Sequence, residues 1–206
     1  MARREMAGGK RTASELNAWL CFEDEAGQGL RPPRGRTWGR RGATPVVKVT
    51  SAGTKRVSLA GLLAFRPGAA HQPRLIHRTL IYRGRKNEQK GFAERDYIRL
   101  LDAAHQQLGG PIVLVWDNIN THKSAVMREL IAKRDWLTVF HLPPYAPELN
   151  PVEGVWSAMK SGLVNLAKRD IEALTSLVKT RLRRLQYRPR TLAGLLAKTG
   201  LDLQPP

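Results

Sequence analysis

Cysteine is nearly missing from this chain: Cys21 is the only one in 206 residues. No internal disulfide and no thiolate zinc cluster can form, and a reducing compartment is the simple reading. Long apolar runs are missing too. The longest, near Val57 to Phe65, is far short of the ~18 residues of a membrane span, and the opening residues lack the apolar core of a secretory signal. Both absences argue against a membrane and for the cytoplasm. No glycine-rich loop ending in Lys-Ser or Lys-Thr is present, so ATP use has no support. His-Cys zinc spacing is absent, and no serine or cysteine stands in a nucleophile context. Without internal repeats or a long low-complexity linker, and with 42% hydrophobic residues, the chain is expected to fold as one compact unit.

Acids are scarce. Lys and Arg number 35 against 17 Asp and Glu, a formal charge of +18. Such a field attracts polyanions, and binding to duplex DNA should weaken with salt at a log–log slope of about −0.9 per phosphate contact. Charge alone is shared by ribosomal, chromatin and membrane-surface proteins. Where the few acids lie is therefore more informative. Asp117 closes the apolar run Ile112-Val113-Leu114-Val115-Trp116, and Glu153 follows Leu149-Asn150-Pro151-Val152 at a helix start. Asp24 lies upstream in Ala18-Trp19-Leu20-Cys21-Phe22-Glu23-Asp24, a strand candidate. Three carboxylates on separate elements of a very basic chain suggest a divalent-metal site acting on nucleic acid.

The remaining pattern predicts a layered α/β domain. Gly27 to Gly42 reads as a basic loop, since its glycines and prolines break regular structure. Val46–Thr50 and Val57–Phe65 have the composition of a hairpin, and Leu75 to Tyr82 of a further strand. Gly91 to Leu108 repeats apolar residues at helical spacing until Gly109-Gly110-Pro111 stops it. After the Asp117 strand come a helix over His122 to Lys133, a strand over Trp136 to Leu142, and helices. Early strands in an antiparallel meander, followed by strands alternating with helices, give this architecture. From Asp170 to Leu203, Ile171, Leu174, Leu177, Val178, Leu182 and Leu185 form an apolar stripe beside basic residues, suited to pack on the domain and face phosphates.

Each acid has a competing structural role. Side chains alternate along a strand, so Asp24 faces away from Glu23 and Glu25, but alternation does not say which face supplies a site. Asp117, Asn118 and Thr121 are good helix caps. His122 is a metal-ligand or second-layer candidate, although a lone histidine is more often a hydrogen-bonded structural residue. Asn150, Pro151 and Glu153 reproduce a capping box. On the functional side, Trp156 and Lys160 fall three and seven residues after Glu153, on one helical face. Leu142 to Glu148 contains three prolines that stiffen the approach to this helix, and Glu148 is a weaker acidic candidate.

Taken together, Phe22-Glu23-Asp24-Glu25-Ala26-Gly27 with Trp38-Gly39 and Gly42, then Val115-Trp116-Asp117-Asn118 with His122, then Leu142-Pro143-Pro144-Tyr145-Ala146-Pro147-Glu148-Leu149-Asn150-Pro151-Val152-Glu153-Gly154-Val155-Trp156 with Lys160, resemble the DDE transposases of bacterial insertion sequences related to mariner. The resemblance covers roughly Trp19 to Lys160, and its last block is highly specific. It implies an α/β ribonuclease-H-like fold, a mixed five-stranded sheet flanked by helices. It also implies Mg²⁺ or Mn²⁺, two ions, with cutting of DNA at element ends and joining of the freed 3′ hydroxyl to target DNA. Carried over residue by residue, Asp24, Asp117 and Glu153 are the catalytic triad and metal ligands, with Asn118 and His122 behind them.

The resemblance further implies DNA as partner, with Arg31, Arg34, Arg36, Arg40, Arg41 and Lys160 as candidate phosphate contacts. Solvated basic residues without a partner are the competing reading for each arginine. Relatives carry helix-turn-helix modules ahead of the first catalytic Asp, whereas Asp24 stands close to the start of this chain. The expectation is a catalytic half, completed by a separately encoded helix-turn-helix protein, with a homodimer to handle two element ends and a nucleoid-associated, cytoplasmic location. It would comprise a flexible basic arm over 1–16, a catalytic domain over 17–168 and a basic helical extension over 169–206. A catalytically silent DNA-binding remnant or interaction protein is the alternative, and an RNA-directed nuclease of the same fold a third reading.

Overall fold

The computed structural model describes residues 2–49, 53–68, 71–143 and 146–201. Five strands, β1 (Trp19–Gly29), β2 (Arg56–Phe65), β3 (Arg74–Tyr82), β4 (Ile112–Trp116) and β5 (Leu137–His141), form one sheet in the order β3-β2-β1-β4-β5. β1 to β3 are antiparallel neighbours, while β4 runs parallel to β1 and β5 parallel to β4. The helices are α1 (Ala2–Glu15), α2 (Glu94–Leu108), α3 (Asn120–Lys123), α4 (Ala125–Ala132), α5 (Val152–Ser161), α6 (Ile171–Gln186) and α7 (Pro189–Lys198). This is the mixed five-stranded sheet flanked by helices that the sequence implies.

Strand alternation divides the core into two layers. Leu20 and Phe22 of β1, Leu59 and Leu63 of β2, and Val113 and Val115 of β4 pack with apolar residues of α5, α6 and α7. Their sequence neighbours Trp19, Cys21, Ala60, Leu62, Leu114 and Trp116 pack on the other face with α2 and with Met127 of α4. β1 and β4 are covered on both sides, which is why their sequences are continuous apolar runs rather than alternating ones.

Several expected elements come out differently. Within the expected arm over 1–16, Ala2–Glu15 form the helix α1, seated on the sheet: Ala13 is buried, and Gly8 and Gly9 lie against Phe140, Val115 and Leu20. Small residues let this helix approach closely, and its polar composition concealed the packing. The expected extension over 169–206 shares the main core through Ile171, Leu174, Val178, Leu182 and Leu192. Residues 46–49 are exposed and form no strand, and the hairpin with Val57–Phe65 is absent among the described residues; Thr50 to Ala52 lie outside them. β2 is buried along almost its whole length and pairs with β1 and β3 instead. Gly27 and Gly29, expected in a loop, continue β1 opposite Ser58 and Arg56. The helix expected over His122 to Lys133 breaks at Ser124, whose hydroxyl caps α4 by accepting from the Met127 amide at 3.0 Å. α2 stops where expected, with Gly109 left-handed at φ 65°.

Candidate active site at the end of strand β4

Asp24 and Asp117 are placed by strand register. The parallel pairing of β1 and β4 carries Phe22 opposite Val115. Two residues beyond Phe22, Asp24 has the parity of the layer that holds α5, and Asp117 follows directly on the end of β4, its side chain held by His122. Glu23 has the opposite parity and is completely buried. Register and layer thus separate Asp24 from Glu23, which sequence alternation did not.

Helix α5 brings Glu153 and Trp156 to this layer. Asn150 fixes its start by two bonds: its Oδ1 accepts from the Val152 amide at 3.1 Å, and its Nδ2 donates to the Glu23 carbonyl at 3.0 Å. The expected capping box is therefore replaced. Glu153 is exposed in the first turn, and its carboxylate makes no hydrogen bond among the described residues. Trp156 differs from the reading that set it beside Glu153 and Lys160 on one face toward DNA. Its side chain is buried, and its indole N–H donates to Asp24 Oδ2 at 2.8 Å. The ring fits because Gly61, paired with Asp24 across β1 and β2, has no side chain: a Cβ there would lie 2.7 Å from the indole.

Asp117 is held from its own loop. Its Oδ1 lies 2.6 Å from His122 Nδ1 and accepts from the Ile119 amide at 3.3 Å. His122 is buried, its ring stacked 3.7 Å from that of Trp116, with Tyr97 edge-on at 4.9 Å. Asn118 Nδ2 donates to the Leu142 carbonyl, tying the loop after β4 to the end of β5. Pro144 and Tyr145 of the proline-rich approach lie outside the described residues, and Glu148 is exposed on a 3-10 turn.

Electrostatics reflect the crowding. Burial pushes Asp24 up to about 7, with Glu153 and Asp117 adding repulsion while the Trp156 hydrogen bond opposes the shift. Burial likewise raises Glu25 to about 7, with Asp117 the next cause. For Asp117 burial acts upward, but the hydrogen bond and charge of His122, the Ile119 amide and His141 together outweigh it and hold the carboxylate below its ordinary range. Burial lowers His122 below its ordinary range against the opposing pull of Asp117. Among the described residues, no group of three His, Cys, Asp or Glu side chains is gathered tightly enough to grip one ion.

The raised Asp24 value has a consequence for stability. Between its ordinary value near 3.8 and about 7, the folded protein holds a proton that the unfolded chain releases. The contribution of Asp24 to stability therefore falls as pH rises through that window and is least favourable above it. In metal-free buffer, Asp24→Asn is expected to raise the melting temperature more at pH 8 than at pH 5. Equal shifts at the two pH values would show that Asp24 is not raised.

The candidate phosphate contacts occupy another region. Arg31, Arg34, Arg36, Arg40 and Arg41 are exposed on the segment after β1, and Lys160 is half-buried in the last turn of α5. Asn165 anchors the segment: its amide donates to the Pro33 carbonyl at 3.1 Å and its Nδ2 to the Gly35 carbonyl at 3.0 Å. The sequence reading missed Glu23, the Trp156 bond to Asp24, and Asn150 as a clasp. The Asn-Pro pair before α5 was the available signal for the last.

The profile of the DDE superfamily endonuclease family matches residues 19–178, well over half of the chain and all three acids. The chain belongs to the DDE superfamily endonucleases. Among solved structures, this DDE chain is similar to the mariner Mos1 paired-end complex with Mg, at 14% identity and a TM-score of 0.65, covering 97% of this chain and 59% of that one. The Mos1 transposase paired-end complex with left transposon end gives 15% identity and a TM-score of 0.55, covering 98% and 64%. The chain thus spans less than two thirds of the proteins in those complexes. At such identities the likeness establishes the fold, the ribonuclease-H-like one that the resemblance implied. No curated protein matches the sequence, and no helix among the described residues is long and apolar enough to cross a membrane.

Proposed function

We propose that this chain is the catalytic domain of a DNA transposase, carrying out metal-dependent phosphodiester hydrolysis and strand transfer at insertion-sequence ends. The carrying observation is that Asp24 and Asp117 each stand two residues past the paired Phe22 and Val115 of adjacent parallel strands, with Glu153 near enough for its repulsion to add to the burial that raises Asp24. Asp24, Asp117 and Glu153 would hold Mg²⁺ or Mn²⁺, two ions, because hard carboxylate oxygens suit these cations. When bound, such a pair polarises the scissile phosphate and stabilises the attacking and leaving oxygens.

The chain's own residues supply position and charge. Trp156 orients Asp24, and His122 orients Asp117. Arg31, Arg34, Arg36, Arg40 and Arg41 present an exposed cationic segment to the DNA backbone, with Lys160 in the last turn of the helix that carries Glu153. The partners in this reading are element-end and target DNA, a second copy of the chain, and a separately encoded helix-turn-helix protein. The location is the cytoplasm, at the nucleoid.

The lack of a tight three-residue ligand group favours a second reading, a silent DNA-binding remnant. Duplex DNA taken from the flanks of the gene, incubated with the purified protein and Mn²⁺, separates the two. Nicking at a defined position is expected, together with saturable Mn²⁺ uptake by calorimetry. DNA binding without nicking or Mn²⁺ uptake would establish the remnant.

A further inference from the structure

Glu23 is an acid that the three-carboxylate site does not use. It sits in the opposite layer, completely buried, with Oε2 accepting from the Trp116 indole N–H at 2.5 Å and standing 3.9 Å from His122 Nε2. An apolar side chain would occupy this place without the cost of desolvating a carboxyl. What distinguishes the position is its connections. Trp116, anchored by Glu23, is the plate on which the His122 ring stacks at 3.7 Å. His122 Nδ1 lies 2.6 Å from Asp117 Oδ1, and a carboxylate only accepts, so that nitrogen carries the proton. Asp117 Oδ2 makes no hydrogen bond among the described residues and is the free oxygen. The Glu23 carbonyl meanwhile receives Asn150 Nδ2, which also holds the first turn of the Glu153 helix. Asp24 is its neighbour in sequence.

We propose that Glu23 is a positioning residue common to all three acids. Its carboxyl anchors Trp116, and through it the His122 ring that orients Asp117, while its main chain fixes Asp24 and the Glu153 helix relative to one another. The inference rests on the metal-binding reading for its consequence and on side-chain geometry for its content.

The test compares Glu23→Gln, which keeps an oxygen to accept from the indole, with Glu23→Leu, which does not. Mn²⁺ affinity is read by electron paramagnetic resonance and the His122 tautomer by ¹⁵N NMR. Glu23→Gln should stay close to the parent protein, and Glu23→Leu should bind Mn²⁺ about tenfold more weakly, the scale of losses when the supports of metal ligands are removed. Its His122 spectrum should also lose the single Nδ1–H form. Parental Mn²⁺ affinity and spectrum in Glu23→Leu, or a parent His122 protonated on Nε2, would overturn the proposal. If Glu23→Leu does not fold, Trp116→Phe replaces it, retaining a ring but no indole N–H, with the same loss expected and an unchanged affinity and spectrum equally fatal. If the parent protein takes up no Mn²⁺, the metal reading fails, and the comparison of His122 spectra still decides the role of Glu23.

Discussion

Asp117→Asn is expected to slow nicking of element-end DNA by on the order of 10³-fold while leaving duplex binding intact. The magnitude follows from removing one anionic ligand of the proposed metal pair, whose charge stabilisation would amount to several kcal/mol, each ~1.4 kcal/mol being tenfold in rate. The selectivity follows from geometry. Asparagine keeps the shape of the side chain and a carbonyl oxygen to accept from His122 Nδ1 and the Ile119 amide, the two bonds that Asp117 Oδ1 makes. The fold should therefore survive. The exposed arginines lie on the separate segment anchored by Asn165, so phosphate contacts should not change. Single-turnover nicking and an electrophoretic shift on the same preparation measure the two effects. Parental nicking by the variant would remove Asp117 from the mechanism.

Gly61→Ala is expected to destabilise the protein by about 2 kcal/mol, within the range for overpacking a filled core. For a domain of this size that corresponds to a melting temperature about 4–8 °C lower. A Cβ at position 61 would stand 2.7 Å from Cη2 and 3.0 Å from Cζ2 of Trp156. The indole cannot easily yield, because it is buried and its N–H is bonded to Asp24. Displacing it removes the donor that opposes the rise of Asp24, so Mn²⁺ affinity should change along with stability. Trp156→Phe in the Gly61→Ala background shortens the ring and should recover part of the lost melting temperature without restoring the bond to Asp24. A single alanine variant that melts like the parent protein would show that the glycine is not required for the ring.

Local pattern carried much of the architecture. Ile112 to Trp116 reads as a buried strand because five consecutive apolar residues have no polar face to present to water, and α2 ends at Gly109 because glycine adopts φ 65° there without strain. Where packing partners decided the outcome, pattern misled. A polar N-terminal segment became α1 because Gly8 and Gly9 expose enough backbone to meet Phe140, and periodicity does not report smallness. Val46 to Val49 have strand-forming residues, yet β2 found its neighbours in β1 and β3. The acids divide along the same line. Their residue types and family resemblance were readable, whereas the face each one occupies was not.

From its composition and motifs alone, this chain was committed to a basic α/β protein with carboxylates at a strand end, a neighbouring strand and a helix start, since charge and local apolar pattern are properties of sequence. Tertiary structure decided that Asp24 rather than Glu23 faces the layer of α5, that Trp156 turns inward to bond it, and that Glu23 is buried in the opposite layer against Trp116. Those outcomes depend on register between strands remote in sequence, and a shift of one residue would have exchanged the two faces.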